Sequence, residues 1–216
     1  MKQTFREFYN QKLIESPLPD DWDDALFNER VPFAKRIKYA KERSARLGAG
    51  SSRVAFEIPF EGRRTVLKLA KNTKGMAQNE AEAEMLNDYY LRDLGITIPM
   101  IDYDEANGRP TWIHTEFAMK AKDSDFIKAC GGTLGDLMAH ALRASGKAGE
   151  RGHYASGDGS KIDDENELAY GLTNLIGNYD IPSADFNRLA NWGIYNGNPV
   201  IIDLGLSSEV MKQHYS

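Results

Sequence analysis

The chain has 216 residues, 41% of them hydrophobic and 27% charged, with 27 Lys+Arg against 32 Asp+Glu and a formal net charge of −5; that is enough chain to bury one core or two small ones without staples. One cysteine, Cys130, and four histidines leave no intrachain disulfide and no zinc-ligand cluster, and no run reaches the ~20 apolar residues of a membrane span. With no hydrophobic signal core in MKQTFREFYNQ and a pI near 5.5, the expectation is a cytoplasmic protein, neither secreted nor membrane-bound, and not a dedicated nucleic-acid binder.

Residues 1–33, broken by Pro17, Pro19 and Pro32 and carrying DDWDD at 20–24, read as a short amphipathic helix, a turn and a second short helix. The basic stretch AKRIKYAKERSAR at 34–46 reads as a helix whose Lys35, Arg36, Lys38, Lys41, Arg43 and Arg46 form a solvated face. Alternation then marks two strands, RVAFEIPF at 53–60 and TVLKLA at 65–70, joined by the turn EGRR into an antiparallel hairpin. A helix rich in Ala, Glu, Leu and Met runs from Lys74–Gly75 to a stop at Gly95. Two or three short strands follow in ITIPMIDYDEANGRPTWIHTEFAM, with a turn at Asn107–Gly108. Beyond them a helix broken at Gly131–Gly132 resumes through residue 145, and the Gly/Ser-rich stretch 146–161 reads as a mobile loop. The helix in DDENELAYGLTNLIGNY takes Asp163 or Asp164 as its cap and turns Leu168, Leu172, Leu175 and Ile176 to one face. Strands at 192–195 and 199–202 around Asn196–Gly197 lead to Asp203 and Gly205.

Four features of this pattern bear chemistry. Gly48 and Gly50 sit at a bend between strands, where missing side chains let backbone N–H groups approach a phosphate. Lys68 lies inside an apolar strand on the face of Val66 and Ala70, so it needs an anion or must snorkel out. Helical periodicity puts Glu82 on the stripe of Met85, Leu86 and Tyr89, with Lys68 the nearest partner in chain order, whereas a slip in register would bring Glu84 there instead. Asp203 ends a hydrophobic strand just before Gly205, a rigid place for a metal-binding carboxylate, and Asp185 and Asn191 occupy the loop that leads to it.

In this order the motifs resemble those of protein kinases, and the phrasing LGAGSSRVAF, VLKLAKNTKGMAQNEAE and NWGIYNGNPVIIDLGL is similar to compact kinase-like proteins encoded by bacteriophages, over about 44–119 and 183–207. The resemblance implies an α+β, two-lobed fold: an N-terminal helical extension at 1–46, an antiparallel-sheet lobe with one helix at 47–119, and a reduced helical lobe at 120–216. It implies ATP and Mg²⁺ as cofactors. Gly48, Gly50, Ser51 and Ser52 would cover the phosphates; Lys68, held by Glu82, would contact them; Thr115, Glu116, Phe117 and Ala118 would lie beneath adenine; Asp185 would orient or deprotonate the acceptor; Asn191 and Asp203 would hold the metal. The departures are Arg53 in place of the third glycine, Ser183–Ala184 in place of His-Arg, and Leu204 in place of phenylalanine. Asp185 and Asn191 are also six apart instead of five, so either the loop is re-formed or another residue such as Asn187 shares the role, and eleven residues follow Gly205 with no Ala-Pro-Glu motif. The expected function is ATP/Mg-dependent phosphotransfer to a small-molecule or protein acceptor. The alternatives are a pseudokinase binding module on a host or virion protein, and nucleotidyl transfer.

Overall fold

The computed structural model describes residues 16–28, 30–104, 109–150, 153–205, 210 and 212–213. The first expected helix, before Pro17, and the turn at Asn107–Gly108 lie outside the described residues for all or most of their length. The architecture is α+β. A five-stranded antiparallel sheet has the order β1-β2-β3-β5-β4, built from Ala45–Ala49, Arg53–Phe60, Arg63–Ala70, Met100–Tyr103 (β4) and Trp112–Glu116 (β5). A small sheet joins Met119–Lys120 (β6), Trp192–Tyr195 (β7) and Asn198–Ile201 (β8). The helices are α1 (Phe33–Arg43), α2 (Thr73–Asn87), α3 (Tyr89–Asp93), α4 (Asp123–Cys130), α5 (Leu134–Ala144) and α6 (Glu167–Asn178). No helix among the described residues is long and apolar enough to cross a membrane.

The β2–β3 hairpin closes through Glu61 and Gly62, both at positive φ, and sets Arg53 opposite Ala70 and Ala55 opposite Lys68. Residues facing each other across an antiparallel pair share a face, so Arg53, Ala55, Val66 and Lys68 lie on one side of the sheet. Val54, Phe56, Ile58, Leu67 and Leu69 lie on the other. That second face is covered by the chain that precedes the sheet: Leu18, Trp22, Phe27 and Ala40 form one buried cluster with those five residues and Trp112. The N-terminal segment is therefore the outer layer of the sheet. Burial on both faces explains why β3 reads as a nearly continuous apolar run.

Four local expectations are corrected. The helix after β3 does not run unbroken to Gly95: Asp88 leaves the helical region and its carboxylate caps α3 through the Leu91 N–H, which ends α2 at Asn87. Helix α6 is capped by Asn166, which accepts from the Ala169 N–H, and not by Asp163 or Asp164. The basic helix is not uniformly solvated, because Arg36 is buried beneath Phe33 and donates to the Val31 carbonyl, while Arg46 belongs to β1. The stretch 146–161 is docked at its far end. Asp136 in α5 accepts from the Asp158 and Thr133 N–H groups and pairs with Lys161, bonds that hold its carboxyl well below the usual range. Gly157 lies so close to α5 that a Cβ there would stand 2.1 Å from the Gly135 carbonyl carbon.

The outer layer is tied to the sheet by a histidine. His114 on β5 is fully buried; its Nδ1–H donates to the Pro17 carbonyl at 2.7 Å, and its Nε2 lies 2.7 Å from the Thr65 hydroxyl. Burial pushes its pKa down to about 4, aided by Arg63 and opposed by the Pro17 carbonyl. The folded state thus resists a proton that the unfolded chain accepts near 6.5, so stability is full above that value and falls as the pH drops toward 4. The expected loss from this residue alone is about 3 kcal/mol between about pH 7 and pH 4. Urea unfolding at several pH values checks it: the wild type loses more stability on acidification than His114→Gln, and identical pH dependences would refute the assignment.

Candidate functional site

Between the inner face of the five-stranded sheet and the small sheet lies a cleft of about 650 Å³. Its roof is Gly48, which lies inside β1 opposite Ala55 and not at the expected bend, and Gly50 in the β1–β2 turn; its wall is Val66 and Lys68, its back Thr115–Ala118, and its floor Asn191, Ile202 and Asp203. Phe117 and Ala118 fall between β5 and β6 and belong to neither sheet, so the strand edge runs out along the cleft. The back is braced from β3: Arg63 pairs with Glu116 at 3.1 Å, and the Arg64 guanidinium lies 3.9 Å from the Phe117 ring centre.

The polar centre is built around Glu82. Helix α2 starts where Asn72 accepts from the Gly75 N–H, and its inward stripe carries Gln78, Asn79, Glu82 and Leu86 against the sheet. Glu82 is fully buried and Glu84 is exposed, so the register does not slip. Lys68 Nζ donates to Glu82 Oε1 and, at 2.6 Å, to the Ile202 carbonyl. The other oxygen, Oε2, takes an N–H from Arg53 Nη1. Arg53 Nη2 reaches across the cleft floor to Asp203 Oδ1 at 2.5 Å, and that same oxygen accepts from the Gly205 N–H at 3.2 Å. One buried carboxylate therefore holds two cations from adjacent strands, and one of these cations holds a second carboxylate. Burial alone would raise the Asp203 carboxyl, but the charges of Arg53 and Lys68 outweigh it and leave its pKa lowered.

Asp185, Asn191 and Asp203 line a small hollow of about 20 Å³ that shares Asn191 and Asp203 with the cleft, which Asp185 itself does not line. Two single-turn helices, Ser183–Asp185 and Leu189–Asn191, shape the loop. Asn191 donates its Nδ2 to the Asp185 carbonyl at 3.0 Å, which leaves its Oδ1 as an acceptor. The six-residue spacing is accommodated by these turns, and Asn187 is occupied elsewhere, donating to the Tyr154 carbonyl at 2.6 Å. Asp185 is mostly buried, and its carboxyl is raised by that burial, with Arg188 lowering it and Asp203 raising it further. Among the described residues no three His, Cys, Asp or Glu side chains form a metal cluster. The space offers two carboxylates and an amide oxygen, a donor set that suits Mg²⁺ when phosphate oxygens and water complete the shell.

Gly48, Gly50, Lys68, Glu116, Ala118, Asn191 and Asp203 all line the cleft, and Glu82 stands behind Lys68. Ser51 and Ser52 do not line it. The Ser52 hydroxyl donates to Gln78 at 2.5 Å, its carbonyl accepts from the Lys71 N–H at 2.7 Å, and Ser51 is exposed. The reason is the tight seat of α2 under the turn, where a Cβ on Gly75 would come 2.2 Å from the Ser52 carbonyl oxygen. Arg53 is the residue that motif order misses. The sequence shows it only as the residue in place of the third glycine, and nothing local signals that its guanidinium spans Glu82 and Asp203.

Removing Glu82 leaves two buried cations facing each other, so Glu82→Ala is expected to cost about 3–5 kcal/mol. Urea unfolding measures it, and a loss below about 1 kcal/mol would mean that the pair contributes little. No protein-family model matches the chain, and no curated protein matches it.

Proposed function

We propose that this chain is an ATP- and Mg²⁺-dependent phosphotransferase with a kinase-like, two-lobed organisation. The observation that carries the reading is a cleft lined by Gly48, Gly50, Lys68, Asn191 and Asp203, with Glu82 paired to Lys68 behind its wall and Asp185 in the adjoining hollow that shares Asn191 and Asp203 with it. In this reading adenine lies against Thr115–Ala118, and Gly48 of β1 and Gly50 of the turn cover the phosphates, their missing side chains leaving room for a close approach, while the Gly50 N–H closes the turn on the Arg53 carbonyl at 3.0 Å. Lys68, kept in place by Glu82, donates to the phosphate oxygens. Asp203 and Asn191 would hold Mg²⁺, which neutralises charge on the transferring group. Asp185 orients the acceptor hydroxyl and accepts its proton, and its raised pKa makes it a better base than a solvent-exposed aspartate. Positioning and charge neutralisation supply most of the rate enhancement.

A second reading, a nucleotide-binding module without transfer activity, draws support from one contact: Arg53 already occupies an oxygen of Asp203. Thermal-shift titration and transfer of labelled γ-phosphate separate the two. The phosphotransferase reading expects ATP with MgCl₂ to raise the melting temperature of the wild type, and Asp203→Ala to lose most of that shift. Asp185→Asn should keep the shift while transfer falls roughly 10²–10⁴-fold. A wild type that binds without transfer supports the module, and one that shows no shift sinks both. Transfer by the wild type should also fall on the acid side with an apparent pKa above the ordinary aspartate value of about 3.9, because Asp185 must be ionised to act.

A further inference from the structure

Arg53 stands at the start of β2, beneath the turn that roofs the cleft, and it is nine-tenths buried. Its guanidinium is fixed on three sides: Nη1 donates to Glu82 and, at 3.4 Å, to Asn79 Oδ1, while Nη2 donates to Asp203. The fourth side is Gly205. A Cβ on Gly205 would stand 2.7 Å from Nη2 and 3.0 Å from Cζ, so the backbone after Asp203 is shaped to pass the guanidinium. Asn79 is itself anchored to the Pro110 carbonyl at 3.1 Å. This is a prepared seat for a planar cation, not a surface arginine that has folded inward.

The ion-pair network at the phosphate end of the cleft sets Lys68 and Arg53 against Glu82 and Asp203, which balance, while Lys71 sits exposed on the Gly50 carbonyl and Lys120 lines the cleft outside the network. Without Arg53 the same group carries a net negative charge, which opposes a triphosphate until a divalent cation arrives. Asp203 uses Oδ1 for Arg53 and Gly205, and Oδ2 makes no hydrogen bond among the described residues.

We propose that Arg53 is a cation built into the phosphate site, which neutralises Asp203 from within the chain so that the cleft takes up a nucleoside triphosphate even without a divalent metal. The inference rests on the nucleotide reading above and extends it. Arg53 acts here as a positioning and charge-balancing residue, and metal that binds through Asp203 Oδ2 joins the guanidinium instead of replacing it.

Calorimetric titration of the full chain with ATP, once in EDTA and once in MgCl₂, tests this. The wild type is expected to bind ATP in EDTA within about tenfold of its affinity in MgCl₂. Arg53→Gln should weaken binding in EDTA by about tenfold or more, the equivalent of one charge-assisted hydrogen bond, and weaken it less in MgCl₂. Asp203→Asn, which removes negative charge and keeps the shape, should tighten binding in EDTA and abolish the gain from MgCl₂. Arg53→Lys, with the charge retained, should bind in EDTA better than Arg53→Gln. Wild-type binding in MgCl₂ alone would overturn the inference and leave the nucleotide reading standing, and that measurement needs no variant to fold. Equal losses for Arg53→Gln in both buffers would also overturn it, reducing Arg53 to a support for Glu82. Absence of binding in both buffers would remove the nucleotide reading and this inference with it.

Discussion

Glu82 is a carboxylate with no access to water, and such a group survives in a folded protein only when paired and hydrogen-bonded. Its two oxygens are divided between Lys68 of β3 and Arg53 of β2, so the helix that carries it cannot shift without unpairing both strands. Arg53 passes the constraint to Asp203, and Lys68 passes it to the Ile202 carbonyl just before it. Sheet, helix and the end of the small sheet therefore meet at one electrostatic node. The cleft geometry follows from it, since its wall and its floor are the two sides of the same ion-pair network.

The backbone around that node is tightened by contacts that carry no charge. Helix α2 sits so close to the β1–β2 turn that Gly75 admits no side chain, and Ser52 closes the gap through Gln78. On the other face of the sheet the segment that includes Trp22, Phe27 and α1 covers Phe56, Leu67 and Leu69. A sheet with apolar residues on both faces requires such a cover. Its presence leaves the inner face free to present Lys68 and Arg53 to the cleft.

Much of the architecture was legible in local pattern. The alternation in RVAFEIPF and TVLKLA led to the right hairpin, although Arg63 and Arg64, read as part of the turn, pair with Phe60 and Pro59 as the start of β3, and the break at Gly131 is a left-handed helix end. Periodicity singled out Glu82 over Glu84, and the two differ in burial as that reading requires. The misreadings share a cause, which is competition between nearby polar side chains for the same backbone groups. Asp88 and Asn166 won their caps because of where neighbouring elements placed them, and Asp136 drew the Gly-rich stretch onto α5. Ser51 and Ser52 looked like phosphate-facing residues until the packing of α2 turned them away.

Composition and period by themselves determined the α+β class and most of the elements, because these depend on contacts within a few residues along the chain. Which charges meet was decided by tertiary structure. Arg53 and Asp203 are 150 positions apart, and no local pattern records that one guanidinium would span Glu82 and Asp203 against Gly205. Electrostatic partnership in a buried site is a property of distance in space, and there the folded chain sets the outcome.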